Sequence, residues 1–463
     1  MVKIRFYCIL AAVMVSVHAE ENPLVDALIS LQNANTSIYI YDIKKQQPVI
    51  NHHTDILFIP ASVQKMATAY AALEILGENY HFNTDLQYQG HIEKETVKGD
   101  LWLDFSGDPT LHSSDIDHLF DALIAKHIHH IEGALYIKNS AFDSQLYGPG
   151  WMWDELDDCY AAPIATTIVD GNCATAHIRP NKTPNHQAIF SLETELDQPV
   201  FHNIDTIADT KQRCTLSFKR YNPNYYFLAG CIPAHSPPQK LEIAAHDPNS
   251  NTIKKVQKSL ADHHITIEGN ILFNQTEHND KKRLAHHQSA PLKQIVTKML
   301  KESDNLIAES LFKKVGQITF NRPGSWENGH DAVSYIMAKH HLPFSDSQLQ
   351  DGSGLSRYNL LSSKQVMALL LSIHQNPKHS KTLIEGLPVA GVDGTLKWIK
   401  SPALQGHVQA KSGSMTGVYN LAGYFSTVTS DYAFVIFING PPEQRQLYKK
   451  TAEKALNTAI LSL

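Results

Sequence analysis

A long tract without helical periodicity divides this chain. From about residue 84 to residue 284, short runs of alternating apolar and polar residues are separated by turn residues such as Gly90, Gly99, Gly107-Asp108-Pro109 and Gly133. That is the texture of β-structure broken by tight turns. One helix is expected inside it, over residues 115–127. The flanking sequence differs. Met66, Ala69, Tyr70, Leu73 and Leu76 recur at helical spacing after Ile59-Pro60-Ala61, and Gly77 is a natural stop. Helical spacing returns near Pro291 and predicts helices over 292–315, 328–341 and 363–375. Residues 37–43 and 48–51 read as a hairpin. Val408–Lys411, Tyr419–Phe425 and Tyr432–Asn439 read as an antiparallel meander, and residues 443–463 as a closing amphipathic helix. The simplest organisation is an α+β domain formed by residues 20–83 and 285–463, an antiparallel sheet flanked by helices. Residues 84–284 are then a large, mainly β insertion, read as two subdomains.

The first nineteen residues are set apart. Lys3 and Arg5 precede an apolar run from Phe6 to Val17, and Val17-His18-Ala19 places small residues where a signal peptidase reads them. The run is too short for a bilayer core, which takes about 20 residues. Residues 1–19 are therefore read as a secretory signal peptide and the chain as exported. The leader holds two of the 40 Lys and Arg and none of the 46 Asp and Glu, so the mature chain is more acidic than the net charge of −6 for the whole sequence. An acidic chain lacks the basic face that nucleic acid requires. The apolar face of the closing helix (Ala452, Ala455, Leu456, Ala459, Ile460, Leu463) is read as core packing, with peripheral membrane contact at most.

Cys159, Cys173, Cys214 and Cys231 remain after cleavage, an even number in an oxidising compartment. They allow three pairings or four buried thiols; proximity along the chain favours Cys159–Cys173 and Cys214–Cys231. No C-x-x-C or H-E-x-x-H occurs, and the 26 histidines are scattered, so no metal site is expected.

The chemistry concentrates in three short motifs. Ser62-Val63-Gln64-Lys65 is an S-x-x-K at a helix start. Residues i and i+3 share a helix face, so the amine can reach the hydroxyl. A serine needs a neighbouring base, and a lysine serves only if its pKa falls. The positive field of a helix N-terminus disfavours the ammonium and favours negative charge growing on the serine. The same spacing recurs at Ser310–Lys313, but inside a helix, where that field is absent. Ser303-Asp304-Asn305 is the one S-x-N in the chain and Lys411-Ser412-Gly413 the one K-[ST]-G. Singly, Ser303 reads as a helix cap and Lys411 as a surface residue. In this order, and in these contexts, the three motifs form the set found in β-lactamases and penicillin-binding proteins.

The chain resembles the low-molecular-mass penicillin-binding proteins of class C, the D-alanyl-D-alanine carboxypeptidase/endopeptidases of peptidase family S13. Further segments carry the resemblance: Ser106–Leu111, Pro149–Trp153, Asp351–Arg357 and Leu387–Leu396, together with the long insertion itself. The resemblance implies a periplasmic serine DD-peptidase acting without a cofactor on peptidoglycan stem peptides and cross-links, and acylated by β-lactams. It implies Ser62 as nucleophile, Lys65 as base, Ser303 as proton relay, Asn305 as holder of the substrate amide, and Lys411 with Ser412 as the carboxylate site. The oxyanion hole would be the backbone N–H groups of Ser62 and Ser414. Ser412 departs from the threonine common at its position but keeps the hydroxyl. Gly413 is read as leaving room for a substrate lying along its strand. Asp154, Glu155, Asp157 and Asp158 either meet a cationic group on the stem peptide or form a solvated loop beside a packed Trp. A β-lactamase, usually shorter and without the insertion, and a cell-wall binding protein without catalysis are the alternatives.

Overall fold

The computed structural model describes residue 31 and residues 33–194, 196–208, 214–221, 225–274 and 280–463. The leader expected over residues 1–19 lies outside them. Among the described residues no helix is long and apolar enough to cross a membrane.

The central element is a five-stranded antiparallel sheet. We label its strands β1 (Asn35–Asp42), β2 (Gln47–His52), β3 (Val408–Met415), β4 (Val418–Ser426) and β5 (Asp431–Asn439); their order across the sheet is β3-β4-β5-β1-β2. The expected hairpin is β1–β2 and the expected meander is β3–β5. Strands β4 and β5 are buried along nearly their whole length, which requires cover on both faces. Alternation supplies two apolar faces. Tyr39, Ala422, Tyr424, Val435 and Phe437 join the larger core; Ile38, Ile40, Leu421, Phe434 and Ile436 join the second.

The larger core is closed by α1 (Lys65–Leu76), α4 (Leu292–Glu302), α5 (Asn305–Phe320), α6 (Trp326–Lys339) and α7 (Ser363–Gln375). Each was legible as a helix; the expected 292–315 helix is two, broken at Ser303. A short α8 (Ser380–Glu385) follows, and α9 (Arg445–Ser462) seals the other face through Tyr448, Ala452, Ala455, Leu456 and Ala459. That is the core packing expected of the last helix.

The long tract leaves and returns at one place: Asn83 and Gln288 are paired residues of adjacent antiparallel strands, Asn83–Glu93 and Lys282–Gln288. Those strands belong to a seven-stranded sheet covered by α2 (Ser113–Ile124) and α3 (Pro248–Asp262). Helix α3 was not anticipated. It is largely polar, and its apolar positions Ile253, Val256 and Leu260 are too few to stand out. The Asp247 carboxylate caps it by accepting from Asn249 and Ser250, with Pro248 in its first turn. Two three-stranded sheets complete the tract, one of strands Cys173–Arg179, Ile189–Leu192 and Gln239–Ala244, the other of Val200–Ile207, Leu216–Tyr221 and Tyr225–Pro233. Cys159 pairs with Cys173 and Cys214 with Cys231, as proximity favoured, with Cα separations of 5.6 and 5.5 Å.

Candidate active site

Ser62 lies in a single 3₁₀ turn, Ala61–Gln64, that runs straight into α1. Pro60 precedes the turn, and Ala61 holds a left-handed φ of 46°, unusual for a residue with a side chain. Two glycines let neighbouring segments close on this turn. A Cβ on Gly413 would lie 2.6 Å from the Pro60 carbonyl oxygen and 3.2 Å from the Ser62 nitrogen; one on Gly354, itself at φ +83°, would meet the Ala61 carbonyl. The sequence reading of Gly413 is thereby corrected: a side chain there would strike the turn that carries Ser62 before it obstructed anything lying along the strand.

Lys65 is fully buried. Its Nζ donates to Ser62 Oγ (2.9 Å), Asn305 Oδ1 (2.6 Å) and the Ser353 carbonyl (2.8 Å). Three donors thus meet three acceptors. Burial lowers its pKa to about 8 against the opposing pull of Glu309, Asp351 and Asp304.

The break between α4 and α5 presents the second motif. Ser303 ends α4 in a left-handed conformation (φ 61°, ψ 36°). The cap of α5 is Asp304, whose carboxylate accepts from Ile307 N at 2.9 Å, so the capping role read for Ser303 belongs to its neighbour. Asn305 opens α5, takes the Lys65 ammonium on Oδ1, and donates from Nδ2 to the Tyr160 carbonyl at 2.8 Å.

The third motif lies on the edge strand β3. Alternation turns Lys411 and Gly413 towards the helices and Ser412 and Ser414 towards α9. Lys411, fully buried, donates to Ser303 Oγ (2.8 Å) and the Ser412 carbonyl (2.9 Å). Burial, reinforced by the Lys65 charge, holds its pKa well below the usual lysine value. Ser412 Oγ lies 2.8 Å from Thr395 Oγ1, and Arg445 Nε donates to Ser414 Oγ at 2.9 Å. All six side chains expected at the site are therefore brought together, and Ser414 lines the same cleft as Ser62. Ser310 and Lys313 stand apart. The Ser310 hydroxyl has no partner among the described residues; Lys313 binds Asp143 Oδ1 (2.8 Å) and lies over the Trp326 ring, 3.8 Å from its centroid.

Two buried carboxylates behind the site escaped the sequence reading. Glu309 accepts from Trp326 Nε1 (2.8 Å), Gly352 N (2.9 Å) and Ser353 N (2.8 Å). Asp351 accepts from Gly354 N, Ser356 N, Asn359 Nδ2 and Trp151 Nε1 at 2.6–3.0 Å. Together they shape the 351–356 loop that offers its Ser353 carbonyl to Lys65. Burial and the neighbouring Asp351 push Glu309 up to about 7. The available signal was an acid one helical turn after Asn305, inside the apolar run of α5.

The cleft in front of Ser62 has a volume of about 340 Å³ on the side of Asn305, where Glu155 and Tyr160 form part of its wall. Asp157 is turned away to His246 (2.8 Å), so the four acids of that loop do not act as a block. Burial raises Glu155 and Arg357 opposes it.

Residues 22–460 match the D-Ala-D-Ala carboxypeptidase 3 (S13) family model. The chain belongs to that family. It is 34% identical over 415 residues to D-alanyl-D-alanine carboxypeptidase DacB of Haemophilus influenzae, covering 88% of this chain and 86% of that one. Identity is 29% over 433 residues to a D-alanyl-D-alanine carboxypeptidase of Actinomadura, with 90% and 80% covered. Among solved structures, penicillin binding protein 4 (dacB) of Haemophilus influenzae superposes with a TM-score of 0.85 at 32% identity, covering 94% of this chain and 98% of that one. The same protein complexed with a β-lactam gives 0.81 at 30% identity, covering 95% and 98%. The fold of this S13 member is thus the penicillin-binding fold, with its antiparallel sheet and large inserted region.

Proposed function

We propose that this S13 chain is a serine DD-peptidase that hydrolyses D-Ala-containing peptidoglycan stem peptides or cross-links through a Ser62 acyl-enzyme, and that β-lactams acylate the same serine. The observation that carries the reading is the Lys65 amine, buried, with its pKa lowered to about 8, and 2.9 Å from Ser62 Oγ. Neutral Lys65 takes the Ser62 proton as Oγ attacks the carbonyl of the penultimate D-Ala. The backbone N–H groups of Ser62 and Ser414 receive the oxyanion, each such donor being worth roughly 3 kcal/mol in comparable enzymes. Ser303, hydrogen-bonded to Lys411, passes a proton to the departing amine as the C–N bond breaks. Asn305 holds the substrate amide, and Lys411 with Ser412 holds the terminal carboxylate. Water then cleaves the Ser62 ester and restores the hydroxyl.

The same reading makes residues 20–83 and 285–463 one discontinuous peptidase domain, residues 84–284 its insertion, residues 1–19 a leader, and the periplasm the place of action. The pairing of Asn83 with Gln288 at the mouth of the insertion supports that division.

Intact mass after incubation with benzylpenicillin tests the reading. Wild type should gain the mass of one penicillin and Ser62→Ala none. A wild type that gains no mass and leaves the drug intact is not a serine DD-peptidase. One that gains no lasting mass but consumes penicillin rapidly is a β-lactamase.

A further inference from the structure

The cleft does not stop at the carboxylate site. A second lobe of about 270 Å³ shares Ser62, Ser303, Ser414 and Arg445 with the first and continues past Ser412 to Thr395, Trp398, Tyr419 and Lys449. A single leaving D-Ala ends at its one carboxylate, which the reading above gives to Lys411 and Ser412. It has nothing to place in the space beyond.

That space is built for an anion. Arg445 and Lys449 lie one turn apart on α9 and so share a face. A guanidinium has five N–H donors, and among the described residues Arg445 commits one, to Ser414. Lys449 lies over the Trp398 ring and makes no hydrogen bond or ion pair among the described residues. Tyr419, opposite Ser414 in the β3–β4 register, is 4% exposed and lines the lobe, yet its hydroxyl has no partner among the described residues. A buried hydroxyl without a partner is unfavourable unless a ligand or water supplies one. The counter-charge is Glu453, one turn beyond Lys449, its pKa raised by burial. Two cations therefore face one acid, and the lobe keeps a positive balance.

We propose that Tyr419, Lys449 and the free edge of Arg445 form a second anion subsite on the leaving side, which binds a carboxylate lying beyond the leaving residue. The ligand class follows from the chemistry. In a cross-link the departing amine belongs to a second stem peptide, which continues past the bond and carries further carboxylates. In a carboxypeptidase substrate the leaving group is one amino acid. The lobe therefore favours cross-linked peptides over terminal D-Ala-D-Ala. This rests on the serine DD-peptidase reading and adds to it the side of the cleft that selects the longer leaving group.

The test compares wild type, Lys449→Gln and Tyr419→Phe on three substrates: a cross-linked dimer of tetrapeptide stems, the same dimer with only the leaving-strand carboxylates beyond the leaving residue amidated, and a monomer ending in D-Ala-D-Ala. Penicillin acylation rate is measured alongside. Tyr419→Phe removes a hydroxyl that bonds to nothing among the described residues, so it should leave the fold unperturbed. Lys449→Gln should lower kcat/KM for the free dimer about tenfold, and Tyr419→Phe about threefold. Monomer cleavage and penicillin acylation should change less than twofold. Amidation should cost wild type a similar factor and make it insensitive to both substitutions. Equal losses on dimer and monomer, or none on the dimer, overturn the subsite while leaving the DD-peptidase reading intact. A wild type that cleaves no substrate and forms no penicillin adduct overturns both.

Discussion

Lys65 decides the chemistry because its position fixes both its reach and its charge. A lysine with an ordinary pKa near 10.4 is neutral at pH 7 in only about one molecule in 10³. At about 8, roughly one in ten is neutral at that pH. A base acts in its neutral form, so the sign is clear: acylation should speed up as pH rises through 8 and level off above it. We expect kcat/KM for a chromogenic β-lactam, measured from pH 6 to 9.5, to show an ascending limb with an apparent pKa near 8. Lys65→Arg should lower it by about 10²–10⁴ at every pH, since a guanidinium is never deprotonated. A flat profile in wild type, or a Lys65→Arg enzyme that recovers at high pH, would remove Lys65 from the base role. The role was readable from i, i+3 spacing at a helix start. Its pKa was not, because the depression comes from burial beneath the 351–356 loop, which arrives from nearly three hundred residues away. Glu309 was hidden for a related reason: its place inside the apolar run of α5 hints at burial, but only the folded chain shows it enclosed by Trp326 and two backbone N–H groups.

Between elements, contact distance governs the site. The 3₁₀ turn of Ser62 is held between β3 and the 351–356 loop, and each approaches where it carries a glycine. Gly413→Ala would place a methyl group 2.6 Å from the Pro60 carbonyl. Overpacking of this kind costs about 1–3 kcal/mol, and the turn that must yield is the one that aims Ser62 at Lys65. The expected result is a lower melting temperature and a fall of more than tenfold in the rate of labelling by a fluorescent penicillin. Labelling at the wild-type rate would mean that the strand, not the turn, gives way. Most of these elements were legible because each has its own period: alternation for the β1–β2 hairpin and the β3–β5 meander, i, i+3, i+4 spacing for α1 and α4–α7. Helix α3 was not, since its stability comes from tertiary burial of a few residues rather than from a strong stripe. The break at Ser303 was also missed. Apolar spacing runs on across it, and only the left-handed serine followed by the Asp304 cap marks the division.

The molecule as a whole gives the cleft a polarity. Helix α9 supplies Lys449 at one end and Arg445 between the two lobes, while the tract of residues 84–284 supplies Glu155 at the other. The acidic loop is fixed from three directions. Trp151 Nε1 donates to Asp351 (3.0 Å), Cys159 is joined to Cys173, and Lys313 grips the preceding segment through Asp143 and the Gln145 carbonyl. The loop is held firmly beside a nucleophile, with one carboxylate turned to the cleft and another tied to His246, so recognition by Glu155 can be tested apart from the rest of the loop. A stem peptide carrying a free side-chain amine on its acyl side would bring that cation towards Glu155. Because Glu155 is partly exposed, the pair is worth at most about 1 kcal/mol, or roughly fivefold in KM. Charge reversal adds a repulsion of similar size. Glu155→Lys should therefore raise KM about tenfold or more for the free-amine peptide. It should leave KM unchanged for the same peptide acetylated on that amine and leave the penicillin acylation rate within twofold of wild type. The effect should shrink as salt rises, since a partly exposed pair is screened. If the two peptides respond alike, the loop is only a wall of the cleft, and the selection of substrate falls to the opposite, basic end.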